Sequence, residues 1–301
     1  MFTNRNGNPM IVVFGSINLD LIFALPHIPT PGETVLCPTT RIEPGGKGAN
    51  QAVAAARDGA QVVMAGAVGR DSLANDALAL LRKANIDLTR VIATDAPTAC
   101  AAVCVDPQGH NAIAVGSGAN LFCRHDQVED ALLTPDTMLV LQMEVSPDET
   151  AALIRRAKAK GVRIILNLAP AAALPLDALR AIDILTVNET EAEWLAAHLG
   201  CAPTAAALHT ALGVTVIRTL GEHGLDAVTA DGEMHLPARQ IVPVDTTAAG
   251  DCFVGVLAAA LDRGAPLTEA LNRANAAAAL CCVKPGSQDS TPSANEIDIF
   301  L

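Results

Sequence analysis

Short runs of β-branched and aliphatic residues alternate with Ala- and Leu-rich stretches along most of this chain, and that alternation constrains the fold more than any other feature. Ile11–Phe14, Gln61–Ala65, Met138–Leu141, Val162–Leu166, Ile182–Val187 and Val214–Ile217 are nearly continuous apolar runs. Runs of this length and kind are strands buried on both faces. Between them the pattern predicts helices over Ala49–Asp58, Ala74–Ala84, Pro147–Lys160 and Glu189–Leu199. Strand and helix repeating in turn predict an α/β fold: a central, mostly parallel sheet flanked by helices. Two segments break the pattern, residues 19–43 and 98–115. Pro26, Pro29 and Pro31 interrupt the first, and Asp106-Pro-Gln-Gly109 turns the second. Neither carries a long helical period, so together they predict a small β-sheet lid projecting from the main sheet. No repeat or low-complexity linker appears, which predicts one domain over residues 1–301.

Charge and composition remove several classes of function. Lys and Arg number 20 against 32 Asp and Glu, a net charge of −12. Such a surface repels phosphate backbones. Aromatics are 2% with no Tyr, which removes the stacking platform of single-strand binders, so no nucleic-acid partner is expected. The eight cysteines form no C-x-x-C pair and the seven histidines no H-E-x-x-H, so no zinc site is expected. The longest uncharged apolar runs, such as Cys252–Leu261 and Ala274–Val283, are about half of a membrane span. Met1–Met10 is polar and lacks the form of a signal peptide. A cytoplasmic protein without a membrane partner is expected.

Several of the strands end in polar residues: Asn18 and Asp20, then Glu144, Asn167, Asn188 and Thr219. One such residue is an ordinary turn former or helix cap. Several converging on one sheet edge, where doubly wound sheets bind ligands, point to a site. The strongest local signal is Asp245-Thr-Thr-Ala-Ala-Gly-Asp251, ahead of a helix over Phe253–Leu261. Ala248, Ala249 and Gly250 leave backbone N–H groups free at a helix start, an anion hole suited to a phosphoryl group in transfer. Asp251 beside that hole is either a plain cap or a general base facing a hydroxyl. A second signal, Glu43-Pro-Gly-Gly-Lys-Gly-Ala-Asn50, is neither a P-loop nor G-x-G-x-x-G. It opens a helix with Lys47 and Asn50 in the first turn, and with Asn18 and Asp20 it forms a polar site at one sheet edge.

Gly15-Ser-Ile-Asn-Leu-Asp20, Pro31-Gly-Glu-Thr34, Gly45-Gly-Lys-Gly-Ala-Asn-Gln-Ala-Val53, Asn188-Glu-Thr-Glu-Ala-Glu193 and Asp245-Thr-Thr-Ala-Ala-Gly-Asp251 occur in this order. Together they resemble the ribokinase group of the PfkB-type carbohydrate kinases, from about Ile11 to Pro292. The resemblance implies a ribokinase-like fold and a lid that often pairs with a second subunit's lid, hence a homodimer. It implies ATP-dependent phosphorylation of a primary hydroxyl, with D-ribose giving D-ribose 5-phosphate and ADP. Asp251 would be the base, with Ala248, Ala249 and Gly250 forming the anion hole. Asn18, Asp20, Gly46, Lys47, Gly48, Ala49, Asn50 and Glu144 would lie around the sugar. Asn188, Thr219, Leu220, Gly221, Glu222, His223, Gly224 and Asn275 would lie along the nucleotide, with Gly250 and Asp251 at its phosphates. Glu191 would place Mg²⁺ through water. The positions matching a K⁺ site, held largely by carbonyls, are Asp245, Thr247, Cys281, Lys284, Gly286 and Ser290.

Two positions depart from the group's pattern. Asn275 stands where His is common, and Val254 where Asn is usual. Two other readings remain open: a kinase of this family for a nucleoside, fructose derivative or keto-deoxy sugar acid, and a catalytically silent sugar-binding regulator.

Overall fold

In the computed structural model, which describes residues 10–108 and 110–301, the apolar runs pair as their alternation predicts. Gly109 of the expected turn and the polar start at residues 1–9 lie outside the described residues. The chain enters the main sheet at β1 (Met10–Phe14), leaves it for a second sheet through β2 (Asn18–Ala24) and β3 (Thr39–Gly45), and returns through α1 (Lys47–Arg57) to β4 (Val62–Gly69). The short helices α2 (Leu73–Ala77) and α3 (Ala79–Lys83) lead to β5 (Asp87–Thr94), and β6 (Ala99–Val105) and β7 (Asn111–Gly116) complete the second sheet. Next come β8 (Thr137–Leu141), α4 (Pro147–Ala159), β9 (Arg163–Asn167), α5 (Leu176–Leu179) and β10 (Ile184–Val187). They are followed by α6 (Glu189–Leu199), α7 (Ala205–Leu212), β11 (Thr215–Thr219), β12 (Leu225–Thr229) and β13 (Gly232–Leu236). The chain closes with α8 (Ala249–Asp262), α9 (Leu267–Cys282) and α10 (Ala294–Phe300).

The main sheet has nine strands in the order β13-β12-β11-β10-β9-β8-β1-β4-β5. All pairings are parallel except β11–β12 and β12–β13, so that β12 alone runs against the rest. Strand order reverses beside β1: the chain runs outward to β4 and β5, then crosses back to β8 and proceeds the other way. A crevice opens beyond the carboxyl ends of strands at such a switch point. Side chains alternate across the sheet. Val12 and Phe14 of β1 face the core layer that α4, α6 and α7 help to cover, while Ile11 and Val13 face the opposite layer, which α1, α8 and α9 help to cover. Both faces are therefore covered, as the continuous apolar runs require.

The second sheet, in the order β3-β2-β6-β7, is the lid, and it grows directly out of β1. Its four strands fall within or next to residues 19–43 and 98–115. Three strands have no counterpart in the sequence reading: β5, β12 and β13. β5 reads Asp-Leu-Thr-Arg-Val-Ile-Ala-Thr and is only half-buried, so no continuous apolar run marks it. β13 is largely exposed. The helix expected over Ala74–Ala84 divides into α2 and α3 at Leu78, whose ψ of −2° falls outside the helical range. Among the described residues no helix is long and apolar enough to cross a membrane.

Packing of α1 on α8 positions the crevice. A Cβ at Gly255 of α8 would collide with the Gln51 carbonyl oxygen and Ala54 of α1, so glycine there allows the two backbones to approach. At the far end of α1, the fully buried carboxylate of Asp58 accepts from Arg263 Nη2 at 2.7 Å and Arg273 Nε at 2.9 Å. The clamp ties α1 to the end of α8 and to α9.

Candidate active site

Asp251 lies in the first turn of α8 and is 5% exposed. Its Oδ2 accepts from Asn50 Nδ2 at 3.0 Å and its Oδ1 from Gln51 Nε2 at 3.0 Å, both from α1. Gln51 Oε1 in turn accepts from Gln142 Nε2 at 2.7 Å. Asp251 is not the helix cap, because the cap position is Ala248, which makes no side-chain capping bond. Ala248 has φ 58°, a left-handed conformation costing a non-glycine residue roughly 1–2 kcal/mol. The turn puts Ala249, Gly250 and Asp251 in the first turn, where helix N–H groups lack intrahelical acceptors. Small side chains before Asp251 leave the Gly250 and Asp251 donors uncovered, while Ala249 N–H reaches Thr246 O at 3.3 Å.

The glycine motif closes the other side of the crevice. Gly46 has φ 90°, and a Cβ there would lie 2.8 Å from Asn18 N, so both conformation and space demand glycine. Lys47 N–H donates to Glu144 Oε2 at 3.0 Å, and Ser16 Oγ donates to the same oxygen at 2.5 Å. Gly48 N–H donates to Ser16 Oγ at 3.2 Å and Ala49 N–H to Ser16 O at 2.9 Å, so these two residues pack behind the crevice wall. Asn18 is buried, and its Oδ1 accepts from Asn120 Nδ2 at 2.7 Å.

Asn18, Asp20, Gly46, Lys47, Asn50, Glu144 and Asp251 thus line one cavity of about 780 Å³ beneath the lid. Asp20 Oδ1 and Asn50 Oδ1 are buried there without a hydrogen-bond partner in the protein. Buried polar atoms left open in this way are costly unless a ligand satisfies them. Burial first, then the charges of Glu144, Glu43 and Asp251, push the Asp20 carboxyl up to about 7, against the pull of Lys47. Asp251 holds the Lys47 ammonium above its ordinary range, outweighing burial, with help from Glu144.

A second cavity of about 200 Å³ is lined by Asn167, Asn188, Glu191, Thr219, Ala249 and Gly250 among others. It shares Lys47, Thr246, Ala248 and Asp251 with the first. The two spaces therefore meet at the start of α8. Asn188 caps α6: its Oδ1 accepts from Glu191 N at 2.8 Å while Asn188 N–H donates to Glu191 Oε2 at 2.8 Å. Burial raises the Glu191 carboxyl above its usual range, only partly offset by the Asn188 N–H bond and Lys47. A half-buried carboxylate with one oxygen bonded and a raised pKa suits a hard divalent cation held through water.

Asp245, Thr247 and Gly286 border the first cavity. Asp245 Oδ1 accepts from Thr247 N at 2.9 Å and Oδ2 from Gly286 N at 3.0 Å, while the N–H groups of Val244 and Asp245 both donate to Cys282 O. Burial opposes ionisation of Asp245, yet these bonds and Arg41 hold its carboxyl below the usual range. Cys281 Sγ lies 3.0 Å from Ser290 Oγ, and Lys284 Nζ turns outward to Glu296 at 2.7 Å. Segments 244–247 and 281–290 are thus stitched around a fixed negative charge. Gly221, Glu222 and His223 form an exposed 3₁₀ turn after β11, flanked by Leu220 and the buried Gly224, and all five lie beyond the walls of both cavities. Asn275 on α9 also lies outside those walls, its Nδ2 donating to Pro237 O at 2.8 Å.

Sequence reasoning missed Gln51, Gln142, Ser16, Asn120, Arg41 and Glu43. Gln51 had a signal, as a polar residue inside an otherwise Ala- and Val-rich helix. Ser16 and Glu43 lie inside the singled-out motifs but were given no role, and Gln142, Asn120 and Arg41 have no signal in their own segments.

Asp20 ties the site to stability. The unfolded chain releases this proton near 3.8, whereas the folded form keeps it to about 7, so its ionisation costs stability progressively as pH rises between those values. Asp20→Asn is expected to raise the urea midpoint of the ligand-free protein at about pH 8, with the gain vanishing below about pH 4. Equal midpoints at high pH would show that the carboxylate is not a burden.

Comparison with known proteins gives one consistent result. The profile of pfkB family carbohydrate kinases matches residues 8–294. A ribokinase of Staphylococcus aureus (strain COL) is 35% identical over 96% of this chain and 98% of its own. The crystal structure of a Thermotoga maritima ribokinase superposes with a TM-score of 0.88 at 32% identity, covering 97% of this chain and 99% of that one. An Arabidopsis thaliana ribokinase complexed with ribose and ATP gives a TM-score of 0.86 at 28% identity, covering 97% and 98%. Coverage is end to end in each case, and the motifs that build the crevice fall inside the matched region: the chain belongs to the pfkB family of carbohydrate kinases.

Proposed function

We propose that this chain transfers the γ-phosphoryl group of ATP to the primary hydroxyl of D-ribose, giving D-ribose 5-phosphate and ADP. The observation that carries the reading is the junction of two cavities at the start of α8, with Asp251 shared between them. Sugar hydroxyls satisfy the open oxygens of Asp20 and Asn50 in the larger cavity, beside Asn18, Gly46, Lys47 and Glu144. ATP phosphates occupy the smaller one beside Asn188 and Thr219, with the Leu220–Gly224 turn and Asn275 further along the nucleotide. Asp251, oriented by Asn50 and Gln51, accepts the hydroxyl proton as the oxygen attacks the γ-phosphorus and the bond to ADP breaks. N–H groups at Ala249, Gly250 and Asp251 receive the charge spread over the transferring group. Mg²⁺ held through Glu191 supplies charge neutralisation for the phosphates.

Two further features belong to this reading. A K⁺ ion between segments 244–247 and 281–290, near Asp245, Thr247, Cys281, Lys284, Gly286 and Ser290, fixes the approach to the anion hole. The lid pairs with that of a second copy. Leu21, Phe23 and Ile42 stand on the lid face turned away from the cavity, Leu21 directly opposite Ile42, which is 60% exposed. Burying that row between two lids makes a two-fold interface. The eight free cysteines suit a reducing cytoplasm, where ATP is at hand.

ADP release measured over pentoses, hexoses, nucleosides and sugar acids tests the substrate, with ribose expected to give the highest kcat/KM. Asp251→Asn is expected to lower kcat by roughly 10²–10⁴-fold while ribose affinity falls much less; an unchanged rate would remove Asp251 as the base. Turnover is expected to be higher in potassium than in sodium buffer, and identical rates would retire the cation site. Sedimentation at micromolar protein is expected to show a dimer, whereas a fully active species of 31.0 kDa would exclude the lid interface.

A further inference from the structure

The lid wall of the larger cavity carries more acid than hydroxyl binding requires. Strand register defines its inner face row by row. Glu43 of β3 stands directly opposite Asp20 of β2, which stands opposite Ala101 of β6. In the next row Arg41 stands opposite Ile22, which stands opposite Val103. All six residues line the cavity. Like charges directly opposite across an antiparallel pair repel, so the Asp20/Glu43 pairing is unfavourable to the lid itself.

Arg41, half-exposed on the cavity wall, shares its charge with the acids beside it. Its Nε lies 3.1 Å from Glu43 Oε1, and its charge also reaches Asp245. Lys47, the other cation on the cavity wall, is engaged by Asp251, Glu144, Glu191 and Asp20. Five carboxylates (Asp20, Glu43, Glu144, Asp245 and Asp251) face two cations around the cavity. A sugar placed with its primary hydroxyl at Asp251 extends its other end away from α8, toward the lid. A carboxylate at that end meets more acid than cation, and the cation nearest the lid is shared with Glu43.

We propose that Glu43 is a specificity-determining residue: it occupies Arg41 and joins Asp20 in an acidic wall, so that the cavity accepts uncharged sugars and turns away sugar acids. The inference rests on the sugar-kinase reading above and narrows its substrate class. Glu43 acts by charge. Its carboxylate lies 3.0 Å from where a Cβ on Gly286 would stand, so it is wedged between the lid and the loop at 286–288. Ser287 Oγ donates to Pro44 O at 3.1 Å in the same place, which keeps β3 seated when the charge is altered.

Calorimetric titration of the full chain with D-ribose and with D-ribonate tests this. Glu43→Gln keeps the side-chain shape and releases Arg41. The ratio of ribonate to ribose dissociation constants is expected to fall roughly tenfold or more, the scale of one charge removed within a pocket. Adding Arg41→Ala to that variant is expected to restore the ratio. An unchanged ratio in Glu43→Gln overturns the inference. Absence of ribose binding to the unaltered chain overturns the sugar-kinase reading instead, and this inference with it. The unaltered chain supplies a second measurement that needs no variant. Glu43, Glu144, Asp251 and Lys47 are the charged groups acting on Asp20, whose carboxyl titrates at about 7. Ribonate stays ionised from about pH 8 to about pH 6. Over that range the wall loses a negative charge, so ribonate is expected to gain on ribose as pH falls; a constant ratio overturns the acidic wall.

Discussion

A carboxylate in the first turn of a helix is favoured by the dipole, but one that is to act at a fixed point must also be held in a single orientation. Asp251 meets both demands because α1 lies close enough to supply two amide donors, Asn50 and Gln51, one to each carboxylate oxygen. The contact between α1 and α8 is therefore the constraint on which the site depends. It is made from small residues: Ala52, Ala54, Ala55, Gly255, Ala258 and Ala259 are all buried there, and only glycine fits at the point of closest approach. Two devices hold α1 in place along its length. At its start, Gly46, Gly48 and Ala49 dock on the turn after β1 through Ser16. At its end, Asp58 is clamped by Arg263 and Arg273. Burying that carboxylate is tolerable only because both partners are present.

The same crevice is electrostatically expensive. Asp20, Glu144, Glu191 and Asp251 act on Lys47, Glu43 adds its charge against Asp20, and the cost appears as the raised pKa of Asp20 and as open oxygens on Asp20 and Asn50. Structures carry unsatisfied groups where a ligand will meet them. Stability elsewhere allows this. The main sheet is buried on both faces, and the polar groups near the base form closed chains, as in Gln142 to Gln51 to Asp251. Strain is placed with the same economy: Ala248 is held in a left-handed conformation at the turn that exposes the N–H groups of α8.

The fold was legible wherever a segment reports its own burial. Ile11–Phe14 and Met138–Leu141 read as central strands because both faces are covered, and Ala49–Asp58 read as a helix because a glycine turn opens it, with the observed helix starting two residues earlier. β5 and β13 were not legible, since edge strands with a wet face carry mixed residues that match no single period. Of the site, Asp251 with Ala248, Ala249 and Gly250, and Lys47 with Asn50, could be recognised because their chemistry is local to one turn. Gln51 and Gln142 could not be assigned a partner. The first is 200 residues from the carboxylate it holds, and the second 91 residues from Gln51.

Sequence alone therefore determined the layers of this protein, the small-residue helix start that carries Asp251, and the family to which those motifs point. Tertiary structure decided which carboxylates face one another, which donors hold Asp251, and that Arg41 lies beside Glu43. The reason is physical. Periodicity and turn chemistry record how each residue meets its own neighbours and the solvent. Register across β2 and β3 and the crossing of α1 over α8 set distances between residues far apart in the chain, and charge and hydrogen bonding depend on those distances.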